Sequence, residues 1–147
     1  MQGNLELADL LGTWKLASMR RTLAATGEVY DPSPDRPPSG WIKYGDDGRM
    51  LVINVLGGRP KPASIETITD DERAQLFRTM TAYSGTFTFD GSLVHHHIDV
   101  SWNECWTGTT QVRRVTRDGD RIVLTTLTAT PGPDNKMGTI SLVWEKA

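Results

Sequence analysis

The only histidines in the 147-residue chain are consecutive, His95-His96-His97, inside a run from Leu93 to Trp102 that reads as a strand. Successive strand side chains point to opposite faces, so Val94, His96, Ile98, Val100 and Trp102 would share one face, and His95, His97, Asp99 and Ser101 the other. The first face is apolar but for His96. An imidazole among Val, Ile and Trp is biased to its neutral form, which has one donor and one acceptor nitrogen. Two roles suit it: a core histidine bonded to a neighbouring strand, or a ligand contact or general acid-base group in a cavity. His95 and His97 have the spacing of a strand zinc pair. Further ligands would have to come from carboxylates or Cys105, and the face with Asp99 reads as solvated, so no metal is expected.

Arg113 and Arg114 are the second candidates, because whichever points inward places a permanent charge in an apolar interior that calls for an anionic partner. A two-residue Asp118-Gly119 turn would pair Val115 with Ile122 and Arg113 with Leu124, turning Arg113 inward. A three-residue bulged turn would select Arg114 instead. Either could equally be a surface arginine paired with a carboxylate. Tyr44, Asn54 and Tyr83 are polar tips of the kind that orient a ligand in an apolar pocket, although Tyr83 shares its face with Gly85, Phe87 and Phe89, as a core residue would. Of the five tryptophans, Trp14 would plug one end of the fold, Trp41 and Trp102 are assigned to a ligand lining, and Trp106 and Trp144 line a cavity or fill the core. Ser84, Ser101 and Cys105 lack the surroundings of an activated nucleophile, and no Gly-rich phosphate loop occurs. No cofactor is expected.

These side chains must be carried by strands. A short apolar helix or turn, Leu5 to Leu11, precedes a strand from Gly12 in which Trp14, Leu16 and Ser18 would share a face. A short Glu28 to Tyr30 stretch and a loop with four prolines in ten residues (DPSPDRPPSG) follow. Gly40 to Tyr44 and Arg49 to Leu56 form a hairpin across Gly45-Asp46-Asp47-Gly48. Thr69 caps a helix running to about Ala82, whose Leu76, Phe77 and Met80 make a stripe against the barrel. Strands then cover Tyr83 to Phe89, Leu93 to Trp102, Gly108 to Arg117, Arg121 to Thr128 and Met137 to Glu145. Eight or nine strands with short links make an all-β, antiparallel, up-and-down barrel with one helix between strands, in preference to an open sandwich.

The length suits one domain over residues 1–147, and 16 Lys+Arg against 18 Asp+Glu, without a basic run, argue against nucleic acid. The N-terminal stretch does not read as a secretory leader, no window matches a membrane-spanning helix, and a lone cysteine suits a reducing compartment, so a cytoplasmic protein is expected.

Five blocks in order carry a resemblance: Leu10-Leu11-Gly12-Thr13-Trp14-Lys15-Leu16, Gly40 to Tyr44 with Asp47 to Met50, Ala82 to Phe87, Val94 to Ile98, and Trp106 to Arg114. Together they resemble a bacterial and fungal lipocalin-like domain family of the calycin group. The resemblance implies that the family's histidine pair falls on His96 and His97; His95 stands where an apolar residue is more usual, and Cys105 where proline is expected. It also implies relatives in secondary-metabolite pathways that act as cyclases, isomerases or hydrolases. The expectation is a barrel that binds a small hydrophobic or aromatic molecule with a polar or anionic group, oriented by His96 and one of Arg113 and Arg114. The alternatives are an enzyme using His96 as general acid or base, with an arginine stabilising an oxyanion, and an interaction module using an outer sheet face. Neither nucleic acid nor membrane is an expected partner; a homodimer is compatible.

Overall fold

The computed structural model describes residues 5–147. Residues 1–4, which open both the expected domain and the stretch read as leader-free, lie outside the described residues. Ten strands and two helices follow in order: α1 (Leu7–Leu10), β1 (Gly12–Leu23), β2 (Val29–Tyr30), β3 (Ser39–Tyr44), β4 (Arg49–Val55), α2 (Asp70–Arg78), β5 (Met80–Phe89), β6 (Leu93–Ser101), a 3-10 turn (Glu104–Trp106), β7 (Thr110–Asp118), β8 (Arg121–Thr126), β9 (Thr130–Pro131) and β10 (Met137–Lys146). Eight of these, β1, β3 to β8 and β10, pair with their chain neighbours in antiparallel fashion, and β10 closes onto β1. The result is an up-and-down barrel, with β2 and β9 paired outside it. Closure satisfies the edge groups that an open sheet would expose.

One end is plugged. Leu5 and Leu10 are buried in the core, and the Trp14 indole N–H donates to the Leu10 carbonyl at 2.9 Å, fixing α1 across the barrel. The Lys146 ammonium lies over the Trp14 ring, 4.4 Å from its centre. The alternating positions Ile42 and Tyr44 on β3, Met50 and Val52 on β4, Tyr83 and Phe87 on β5, and Val94, His96 and Ile98 on β6 fill the interior as period two dictates.

Two bulges break the expected alternation. In β1 the register slips between Leu16 and Ser18, so Ala17 is the extra residue and Met19, not Ser18, lines the interior. In β6, Gly85 pairs with Ile98 but Ser84 pairs with Val100, which leaves Asp99 as the extra residue. Val100 therefore points outward and is 66% exposed. Gly85 is required at this bend, since a Cβ there would overlap the carbonyl oxygen of His97.

The helix also ends earlier than its apolar spacing predicts. Thr69 caps α2 as expected, through a reciprocal bond with Glu72, but Thr79 ends the helix and Met80 pairs with Val55 in the sheet. Strand pairing outweighs helical spacing at Met80. No residue of α2 is buried; Leu76 is half-buried and Phe77 exposed, so the helix lies against the barrel without sealing it. Among the described residues no helix is long and apolar enough to cross a membrane.

Candidate functional site

The half of the barrel formed by β3 to β6 brings Tyr44, Tyr83 and His96 together. His96 is 2% exposed, with Nε2 2.6 Å from the Tyr44 hydroxyl and Nδ1 2.6 Å from the Tyr83 hydroxyl. Burial, followed by the positive charges of Arg113, His97 and His95, pushes its pKa down to about 3. The ring is neutral across the physiological range. Burial likewise raises the Tyr83 phenol to about 12 against the opposing influence of Arg113, and holds Tyr44 well above the usual tyrosine range. Phe87 packs edge-on against Tyr44, with ring centres 4.8 Å apart.

Above this group lies a partly open cavity of about 240 Å³, slightly under the roughly 300–1,000 Å³ common for small-molecule pockets. Its apolar wall comes from residues such as Ile42, Val52, Leu124, Leu142 and Trp144; Tyr83, His96, Arg113 and Asn54 supply the main polar groups. Tyr44 sits behind His96 and is not part of the lining. The cavity extends away from the α1 plug, toward Asn54 and Leu56 at the end of β4 and Ile140 near the start of β10.

Arg113 is the inward arginine. The turn loops through Gly119-Asp120 with Asp118 opposite Arg121, two residues out of step with the predicted pairing. Val115 therefore meets Leu124, and Arg113 meets Thr126 rather than Leu124. A two-residue slip preserves parity, so the facing is as the two-residue turn predicts. Arg113 is half-buried, donates to its neighbour's Val112 carbonyl at 2.9 Å, and has no carboxylate partner among the described residues. Arg114 is exposed on the outer face opposite Thr125.

Besides Tyr44, two more expected lining residues lie elsewhere. Trp41 alternates with Ile42 and points out of the barrel, 48% exposed, beside Ile53. Trp102 follows the β6 bulge and packs on the rim: its indole N–H donates to the Phe77 carbonyl at 3.2 Å, and its ring meets Phe77 and Trp106. Trp106 takes the place inside, against Tyr83 with centres 5.7 Å apart. It comes from the 3-10 turn, where no strand alternation could have assigned its face. Trp144 also lines the cavity, and its buried indole N–H has no partner among the described residues.

His95 and His97 stack on the outer face at 6.2 Å, and the His97 nitrogens are near the hydroxyls of Thr88 and Thr110. Among the described residues no three His, Cys, Asp or Glu side chains are grouped so that they could hold a metal ion. The Ser84 hydroxyl donates to Asp99, which also receives Arg49, and Cys105 is an exposed free thiol.

A family model described as a lipocalin-like domain matches residues 11–147. No curated protein matches the chain.

Proposed function

The chain belongs to the lipocalin-like domain family, and from that premise we propose that its barrel binds a small molecule with an apolar body and an anionic group held by Arg113. The observation that carries this reading is the half-buried guanidinium of Arg113, which faces an otherwise largely apolar cavity without a carboxylate partner among the described residues. A charge so placed is costly to desolvate, and a ligand anion offsets that cost while forming charge-assisted hydrogen bonds. Tyr83 and Asn54 add neutral polar contacts, and Trp106 and Trp144 add flat apolar surface. Both ring nitrogens of His96 are engaged by tyrosine hydroxyls, which supports binding over direct acid-base action by this residue. The unpaired thiol of Cys105 suits the reducing cytoplasm expected from the sequence.

The test is calorimetric and NMR titration with a panel of compact aromatic and aliphatic carboxylates up to the size of 2-naphthoate, beside neutral naphthalene. Carboxylates should bind and shift resonances of Tyr83, Trp106 and Arg113. Arg113→Met should weaken them about tenfold or more, as expected for loss of a charged hydrogen bond, with little change for naphthalene. A panel that leaves the cavity resonances unmoved would overturn the reading.

A further inference from the structure

The Tyr44–His96–Tyr83 chain has two possible directions, and burial distinguishes them. A neutral imidazole carries one N–H and one bare nitrogen, so one tyrosine donates to His96 and the other accepts from it. The Tyr44 hydroxyl is enclosed, 1% exposed, and its one hydrogen-bond partner among the described residues is Nε2 of His96. If Tyr44 accepted from Nε2–H, its own proton would be buried without an acceptor. If it donates to bare Nε2, its proton is used, and Nδ1–H then donates to Tyr83. The second direction should prevail roughly tenfold or more, given the usual cost of an unsatisfied buried donor. Tyr83 can bear the remaining free proton because its side chain lines the cavity.

We propose that this chain is a directional device: Tyr44 donates to His96, His96 to Tyr83, and Tyr83 presents a hydrogen-bond donor to the cavity. Its ligand partner is then an acceptor oxygen. Resting on the ligand-site reading above, the assignment narrows the bound group to a carboxylate or a comparable oxyanion, because Arg113 supplies positive charge to the same cavity. Tyr83 is the contact; Tyr44 and His96 are positioning residues. The chain is suited to holding a donor in place rather than passing a proton along it. A proton leaving Tyr83 and replaced in turn from His96 and Tyr44 would strand a phenolate at Tyr44, a site whose burial strongly opposes ionisation.

The direction is testable without any ligand. Long-range proton-nitrogen correlation of histidine-labelled protein at pH 7 should find His96 protonated at Nδ1 and bare at Nε2; a proton on Nε2 would overturn the proposal. In Tyr44→Phe the donor to Nε2 is lost, but a proton moved to Nε2 would be buried there without an acceptor, so His96 should keep its proton on Nδ1 and Tyr83 should keep presenting its own to the cavity. Affinity for 2-naphthoate should then stay within a few-fold of wild type, and a proton found on Nε2 in this variant would overturn the argument that the cost of a buried donor sets the direction. Tyr83→Phe should cost about tenfold for 2-naphthoate and little for naphthalene. Should Tyr44→Phe not fold, the wild-type tautomer and Tyr83→Phe decide the matter. A wild-type protein with the Nδ1 proton that takes up no carboxylate would overturn the ligand assignment alone, leaving the direction of the chain supported.

Discussion

His96 is where sequence and structure meet most closely. Its place among Val94 and Ile98 on an inward face was legible from alternation, because one imidazole in an apolar row must either find partners or destabilise the core. Its partners were not legible: Tyr44 and Tyr83 meet it only because barrel closure curves β3 and β5 around it. Trp41 is the opposite case. Trp41 and Tyr44 have opposite parity on one strand, so both could not face inward, and with Tyr44 inside alternation puts Trp41 outside. The burial of His96 has a pH consequence. With a folded pKa near 3 against 6.5 for the free side chain, the unfolded chain binds a proton below about pH 6.5 that the native state refuses. Stability from this residue is fully present above that pH and declines as pH falls, by up to about 1.4 kcal/mol per unit. The depressed carboxyls of Asp9, Asp90, Asp99 and Asp134 act in the same direction, but chiefly below about pH 4. Urea midpoints of the wild type should therefore fall between about pH 6.5 and 4.5, whereas His96→Gln should be nearly flat there. Equal slopes would mean that His96 titrates normally in the native state.

At the scale of elements, turns and strands were legible and irregularities were not. The Gly45 to Gly48 hairpin and the proline-rich link to β3 are dictated by residues with few alternatives, Gly for positive φ and Pro for a missing donor. The bulges at Ala17 and Asp99 carry no comparable signature, yet they decide that Met19 faces the cavity and that Val100 does not. Gly85 is the residue that permits the second bulge. Gly85→Ala should cost at least about 1–3 kcal/mol, the range for overpacking, because backbone rather than a flexible side chain stands in the way of its methyl. A urea titration within about 0.5 kcal/mol of wild type would contradict the close approach of β5 and β6. For α2, the absence of buried residues gives a dynamic expectation. Arg59 donates to the Leu76 carbonyl and the Thr79 hydroxyl, each at 3.0 Å, and Trp102 bonds Phe77. These tethers hold the helix at its C-terminal end, so amides of Asp71 to Ala74 should exchange much faster than those of β5 and β6. Comparable protection would make α2 a fixed wall.

The whole molecule divides its labour between two ends. At the plugged end Trp14, Leu10 and Leu5 are sealed by α1 and by Lys146 at the end of β10, and this end is rich in buried apolar area and remote from the candidate ligand. At the other end the lining includes Leu56, which is 44% exposed, and Asn54, beside long connections that sacrifice packing for access. A barrel can tolerate this because its hydrogen-bonded wall is continuous and needs only one closed end to exclude water from the core. Stability and binding should then separate under mutation. Trp14→Ala removes a fully packed ring and should cost about 3–5 kcal/mol, while the protein that remains folded should bind 2-naphthoate within a few-fold of wild type. Leu56→Ala touches the cavity but little of the core, and should cost under about 1 kcal/mol while weakening 2-naphthoate several-fold. Urea unfolding and calorimetry on both variants check the separation. If Trp14→Ala abolished binding without unfolding the barrel, the plug would be part of the site, and the two ends could not be treated as independent.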